Sequence, residues 1–230
     1  NAQWFTYPIQ DPFNLQDGSD EDIINPEFAD IDNDGDLDYL SGEYISGAGY
    51  GYNLGFRYQE NTGSATNPIF TNPTINPFGL TSYTPALPQL GIRQHHKFID
   101  MDNDGDFDIL SNVTGIDVGS YPYTINSDFV YYENIGTPSN PQFSAPTLNQ
   151  FGLTSTPNTI VYTTLGDIDG DGDTDLIGFG LNYLTYASNF LFIENTGSAS
   201  SPSFSTPQLN VFGFTPGYFG LIALEDIDND

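Results

Sequence analysis

The aromatic residues of this chain fall on alternate positions in short runs. Phe56 and Tyr58 share one phase, Phe129 and Tyr131 share another, and a third run opens at Phe190. A period of two is that of a strand with one side turned to a core. Each run closes on Glu-Asn-x-Gly, ending at Gly63, Gly136 and Gly197, a composition that suits a tight turn with a left-handed residue. Shorter apolar groups, Phe28 with Ile31 and Tyr39-Leu40, then Phe98 with Met101 and Ile109-Leu110, bracket two polar runs. None has the three-to-four spacing of a helix, so these flanks also read as strands.

A further apolar signal sets the period. Phe5-Thr6-Tyr7-Pro8 returns as Phe70-Thr71-Asn72-Pro73, Phe143-Ser144-Ala145-Pro146 and Phe204-Ser205-Thr206-Pro207. Eight residues after each first phenylalanine stands another, at Phe13, Phe78, Phe151 and Phe212. The first phenylalanines lie 65, 73 and 61 residues apart, longer than the common propeller repeats of about 40 to 50 residues, so long loops are expected. Each copy is expected to hold four antiparallel strands: one entering the polar run, one leaving it, the aromatic one and the Phe-x-x-Pro one. Such a unit, repeated, is a propeller-type blade, which makes the fold class all-β.

The phase divides the chain into a fourth strand of an incomplete or closing blade (1–15), three blades (16–77, 78–150 and 151–211) and the start of a fourth blade (212–230). About three repeats, with an N-terminal strand and a truncated fourth, are fewer than the four to eight blades of a typical propeller. The expectation is a segment of a longer chain, or strands supplied by a neighbouring molecule.

The polar runs carry the chemistry. Asp30, Asp32, Asp34, Asp36 and Asp38 alternate around Gly35; Asp100, Asp102, Asp104, Asp106 and Asp108 repeat the pattern, as do Asp167, Asp169, Asp171, Asp173 and Asp175. A fourth copy opens with Asp226, Asp228 and Asp230. Five carboxylates within nine residues repel one another by several kcal/mol unless a cation lies among them, and hard oxygen donors in that number point to calcium. Side chains one, three and five of such a loop face inward, and glycine at six lets the backbone bend so that the carbonyl of residue seven turns in. The glutamate that closes an EF-hand at position twelve is replaced by Ser41, Ser111 or Gly178. Closure then falls to the ninth residue, Asp38, Asp108 or Asp175. The alternative is a solvated acidic turn without metal.

These runs resemble the D-x-D-x-D-G-x-x-D loop of the FG-GAP or VCBS repeat family, the blades of the integrin α-chain propeller and of many secreted bacterial propellers. The resemblance covers nearly the whole chain. It implies a β-propeller fold, one Ca2+ for each of the three complete loops and a fourth if the chain continues, and a role in cell-surface adhesion. It also implies that aspartates one, three, five and nine give side-chain ligands, and that Asp36, Asp106 and Asp173 give their carbonyls.

Charge narrows the partners. Only Arg57, Arg93 and Lys97 oppose 31 acidic residues, for a net charge of −28. Of those acids 18 lie in the four loops, so three bound Ca2+ would leave −22. A surface this negative argues against nucleic acid and anionic membranes. With no cysteine in the chain, calcium can take over part of the role of disulfides, which favours the outside of a cell. No apolar run is long enough to span a bilayer, and the first residues lack a basic leader.

Other candidates are weaker. Arg93-Gln94-His95-His96-Lys97 is either an anion or metal site or an ion-paired strand, and adjacent histidines on a strand point to opposite faces. Glu43, Glu60, Asp117, Asp128, Glu133 and Glu194 are the carboxylates available for glycoside chemistry, but Glu60, Glu133 and Glu194 recur at one place in each repeat, as structural residues do. No nucleophile elbow, phosphate loop or zinc spacing is present. Asp17 to Asp22 reads as a solvated turn and Asn112-Val113-Thr114 as a glycosylation sequon. Tyr50, Tyr52, Tyr121 and Tyr123, in Gly-rich loops, suit a sugar or protein partner or a packing lid. Three functions follow: a secreted recognition module for an extracellular protein or glycan, a subunit of a filament joined to copies of itself by strand exchange, or a polysaccharide-active enzyme or lectin.

Overall fold

The computed structural model describes residues 12–16, 25–46, 52–83, 93–117, 121, 124–154, 158–214 and 222–224. The opening Phe5 segment, the turn from Asp17 to Asp22, most of both tyrosine loops and the acidic residues Asp226, Asp228 and Asp230 lie outside them, as do the side chains of Glu43, Arg93 and Asp117.

The described strands form three four-stranded antiparallel sheets, each in chain order. The first holds β1 (Glu27–Ala29), β2 (Asp38–Ser46), β3 (Tyr52–Gln59) and β4 (Thr74–Ile75). The second holds β5 (Arg93–Ile99), β6 (Asp108–Asp117), β7 (Thr124–Tyr132) and β8 (Thr147–Leu148). The third holds β9 (Thr159–Gly166), β10 (Asp175–Asn182), β11 (Ser188–Ile193) and β12 (Gln208–Leu209). The aspartate runs join the first strand of each sheet to the second, and no helix borders them. The fold is therefore all-β and repeats the same sheet three times.

The fourth strand sits later than the phenylalanine signal places it. Phe70, Phe143 and Phe204 make only isolated bridges to Asn61, Asn134 and Asn195, and pairing resumes after the prolines, at Thr74, Thr147 and Gln208. Proline has no N–H to give to a ladder, so the strand forms beyond it.

Alternation places the core between the sheets. On the middle sheet Ile109, Val113, Val130 and Tyr132 face Leu40, Phe56 and Tyr58 of the first. Its opposite face presents Met101, Leu110, Phe129 and Tyr131 to Leu176 and Ile193 of the third. A strand apolar on both sides, as β7 is at its end, belongs to a sheet covered on both faces.

A clasp joins each repeat to the next. Phe78, Phe151 and Phe212 adopt left-handed φ values of 56°, 59° and 60°, costly for a bulky residue. Their rings pack edge-on against Tyr58, Tyr131 and Phe192 with centroids 4.9, 5.0 and 5.1 Å apart. The carbonyls of Phe13, Phe78 and Phe151 accept the N–H of Phe70, Phe143 and Phe204 at 3.1, 2.8 and 2.8 Å.

Candidate metal centres

Each acidic run is a hairpin loop curled around its first aspartate. Asp30 accepts from Asp34 N at 2.9 Å and from Gly35 N at 3.0 Å. Asp100 does the same with Asp104 N at 3.0 Å and Gly105 N at 3.1 Å. The fifth aspartate then accepts from the seventh: Asp36 N to Asp34 at 3.1 Å, Asp106 N to Asp104 at 3.2 Å, Asp173 N to Asp171 at 3.1 Å. The sixth residue has φ of 98°, 98° and 93° at Gly35, Gly105 and Gly172, a backbone that only glycine adopts cheaply. The third loop differs at its fourth position, where Gly170 replaces Asn33 and Asn103 and donates to Asp167 at 2.8 Å.

The curl gathers carboxylates. Asp30, Asp32 and Asp34 offer oxygens within 4.8 Å of one another, as do Asp100, Asp102 and Asp104, and in the third loop Asp167, Asp169 and Asp175. Each group is placed to hold a metal ion, and an all-oxygen donor set suits a hard cation. The seventh residues add to this fit. Asp36, Asp106 and Asp173 are 9%, 7% and 8% exposed, yet Oδ1 of each is buried without a hydrogen-bond partner, as is Asp32 Oδ1. A buried carboxylate oxygen lacking a partner is costly unless a cation compensates it.

The ninth aspartates are tied into the sheets. Asp38 accepts from Asn61 N at 2.8 Å and the Tyr58 hydroxyl at 3.1 Å. Asp108 accepts from Asn134 N at 2.7 Å, the Tyr131 hydroxyl at 2.7 Å and Met101 N at 3.1 Å. Asp175 accepts from Asn195 N at 2.8 Å and Ile168 N at 3.1 Å, with Phe192 where the tyrosine stands elsewhere. Asp38 and Asp108 lie outside the gathered groups of their loops; Asp175 lies inside its own, and Asp171 does not.

The electrostatics follow from burial and crowding. Burial pushes the Asp38 carboxyl up to about 7 and those of Asp106 and Asp108 up to about 6. Asp32, Asp36, Asp102 and Asp173 are raised by burial first and by the adjacent aspartates second. Asp175 is also raised, by burial. Burial and then the neighbouring carboxylate raise the phenol of Tyr58.

One residue type in the site was read from the sequence only as a turn former. Asn61, Asn134 and Asn195 donate their backbone N–H to the ninth aspartate, while their side-chain oxygens accept two further N–H groups. For Asn134 these are Gly136 N at 3.0 Å and Gln142 N at 2.9 Å. The asparagine thereby fastens each acidic loop to the turn after the aromatic strand. Its signal was the fixed Glu-Asn-x-Gly ending of every repeat.

The histidine and lysine cluster is dispersed. Lys97 Nζ pairs with the Glu27 carboxylate at 2.8 and 3.1 Å. His96 meets the Leu40 carbonyl through Nε2 at 3.3 Å, and burial lowers its pKa to about 4. His95 turns the other way, its ring 4.2 Å from Tyr162. They border a cavity of about 210 Å3. Asn112 of the sequon is 2% exposed within β6, which bars glycan attachment to the folded chain. Tyr121 is 92% exposed. Among the described residues no helix is long and apolar enough to cross a membrane. Comparison with protein-family models, with curated proteins and with solved structures returns no match to this chain.

Proposed function

We propose that the chain is a calcium-binding module of propeller-type blades, acting outside the cell to recognise a protein or glycan and catalysing no reaction. One observation carries the reading: three loops in the same register of three sheets gather carboxylates, and each leaves a solvent-inaccessible carboxylate oxygen unpartnered. Among divalent cations calcium best accepts six to eight oxygens from a flexible loop. The high calcium it requires is found outside cells. Calcium supplies the positive charge; the chain's own residues orient the carboxylates and exclude water from one side of each loop. The recurrence of Glu60, Glu133 and Glu194 at one register supports a structural rather than a catalytic role for them.

The test is calorimetric titration of chelator-treated protein with Ca2+. Three ions per chain are expected, one for each gathered group, each adding about 4 kcal/mol of stabilisation at a thousandfold excess over its Kd. A melting temperature indifferent to EGTA would reject the reading. A glycan array and a turnover assay then separate recognition from enzymatic use.

A second reading, self-assembly into a filament, has its own support. Phe214 stands where Leu80 and Leu153 stand in the preceding repeats, yet it is 51% exposed against 4% and 1%. The face around Phe214 is thus of the kind buried at the internal junctions, and a head-to-tail contact between copies through such a face would propagate. Solution mass and electron microscopy would detect it.

A further inference from the structure

We infer that the three loops hold their cation with two different ligand sets, and that the residue facing the ninth aspartate from the aromatic strand, Tyr58, Tyr131 or Phe192, selects between them. The inference rests on the metal-binding reading above. In the second loop Asp108 Oδ2 accepts from both Met101 N and the Tyr131 hydroxyl, at 3.1 and 2.7 Å. Both lone pairs of that oxygen are occupied, and Oδ1 is held by Asn134 N at 2.7 Å. In the first loop the Tyr58 hydroxyl holds Asp38 Oδ2 in the same way, at 3.1 Å. In the third loop a phenylalanine ring cannot donate, and Asp175 Oδ2 accepts only from Ile168 N among the hydrogen bonds of this loop. One lone pair stays open to a cation.

The positions of the carboxylates agree with this difference. Only in the third loop does the ninth aspartate come within 4.8 Å of the first and third; in the other two the fifth takes that place. The first two loops are thus set up to bind through aspartates one, three and five while the phenol withholds the ninth. The third binds through one, three and nine. In the first two loops a cation gains the ninth carboxylate only by breaking its charge-assisted hydrogen bond, whereas in the third that carboxylate is open to it, so the third loop fills at lower calcium. Tyr58 and Tyr131 are positioning residues in this scheme, acting on the cation through the aspartate.

Hydrogen exchange of the intact chain, followed by mass spectrometry across a series of free Ca2+ concentrations, reads a separate midpoint for each loop. The peptide over 167–175 is expected to become protected at about tenfold lower calcium than those over 30–38 and 100–108, the scale of one hydrogen bond to a charged group. Tyr131→Phe should move the 100–108 midpoint down by about tenfold, and Phe192→Tyr should move the 167–175 midpoint up by a similar factor. Asn103→Gly, which gives the second loop the third loop's backbone, should leave the 100–108 midpoint in place. Equal midpoints in the three loops, a rise on Tyr131→Phe, or a shift produced by Asn103→Gly in place of Tyr131→Phe would each overturn the assignment. Absence of protection in every loop up to about 10 mM Ca2+, above the weakest extracellular calcium modules, would instead reject calcium binding altogether.

Discussion

At the scale of single residues, the ninth aspartates make metal binding and pH interdependent. A carboxyl whose pKa is higher folded than unfolded takes up protons on folding. The calcium-free protein therefore loses the contribution of Asp38, Asp106 and Asp108 as pH climbs from the ordinary carboxylate range through about 6 to 7. A Ca2+ ion close by favours the ionised form of these carboxylates whether or not they coordinate it, so the stabilisation it gives should grow across that window. His96, buried and neutral, has the opposite slope, since its depressed pKa removes stability as pH falls toward about 4. It acts on both forms of the protein and cancels in their difference. The expected outcome is a gap between melting temperatures in calcium and in chelator that widens from pH 5 to pH 7.5; a constant gap would contradict it. Asn134 gives a second test at this scale. Asn134→Ala leaves the N–H groups of Gly136 and Gln142 without the oxygen that accepts both, a loss of about 2 to 3 kcal/mol in urea unfolding.

At the scale of elements, each sheet stands on a turn and a loop fastened together. Gly136 fits its turn only because it lacks a side chain: a Cβ there would lie 2.4 Å from the Asn140 carbonyl oxygen and 2.7 Å from Gln142 N. Gly136→Ala should cost about 2 kcal/mol through that overlap with backbone, again read in urea unfolding. Asp104→Ala removes both a gathered carboxylate and the acceptor of Asp106 N. Its effect should concentrate in β5 and β6, and exchange that accelerates evenly over all three sheets would refute so local an action.

Much of this scale was legible in the sequence. Alternation of Phe129 and Tyr131 against Val130 and Tyr132 marks β7, and the spacing of aspartates around Gly105 marks the loop, because both depend on local periods and backbone needs. The fourth strand lies beyond the phenylalanine signal because the intervening proline has no N–H to give to the ladder. The clasp was not legible at all. Phe-Gly-Leu shows that something recurs, but a left-handed phenylalanine is stabilised by partners 53 to 65 residues away in sequence, such as Phe204 for Phe151 and Phe143 for Phe78. Likewise nothing local indicates that the tyrosine of one strand and the asparagine after it converge on one carboxylate.

At the scale of the molecule, stability is shared between sheets that touch their sequence neighbours. Leu153 is buried between the second and third sheets, whereas Phe214 at the matching place is half exposed. Leu153→Ala should therefore cost about 3 kcal/mol, and Phe214→Ala about 0.5 kcal/mol or less. Comparable losses at the two positions would mean that the third sheet's outer face is covered in solution, which calibrated sedimentation would then trace to a partner copy.

The clasp has a consequence for how such a chain lengthens. A stretch running from one left-handed phenylalanine to the next carries at its start the ring that packs on the preceding stretch and, near its end, the aromatic residue that receives the next ring, as Tyr58 receives Phe78 and Tyr131 receives Phe151. Tandem duplication of that stretch creates a junction already complementary on both sides, so an added copy inherits its docking surface instead of having to evolve one. Loop lengths can then drift, as the unequal spacing of the copies records, while the joint between them stays the same.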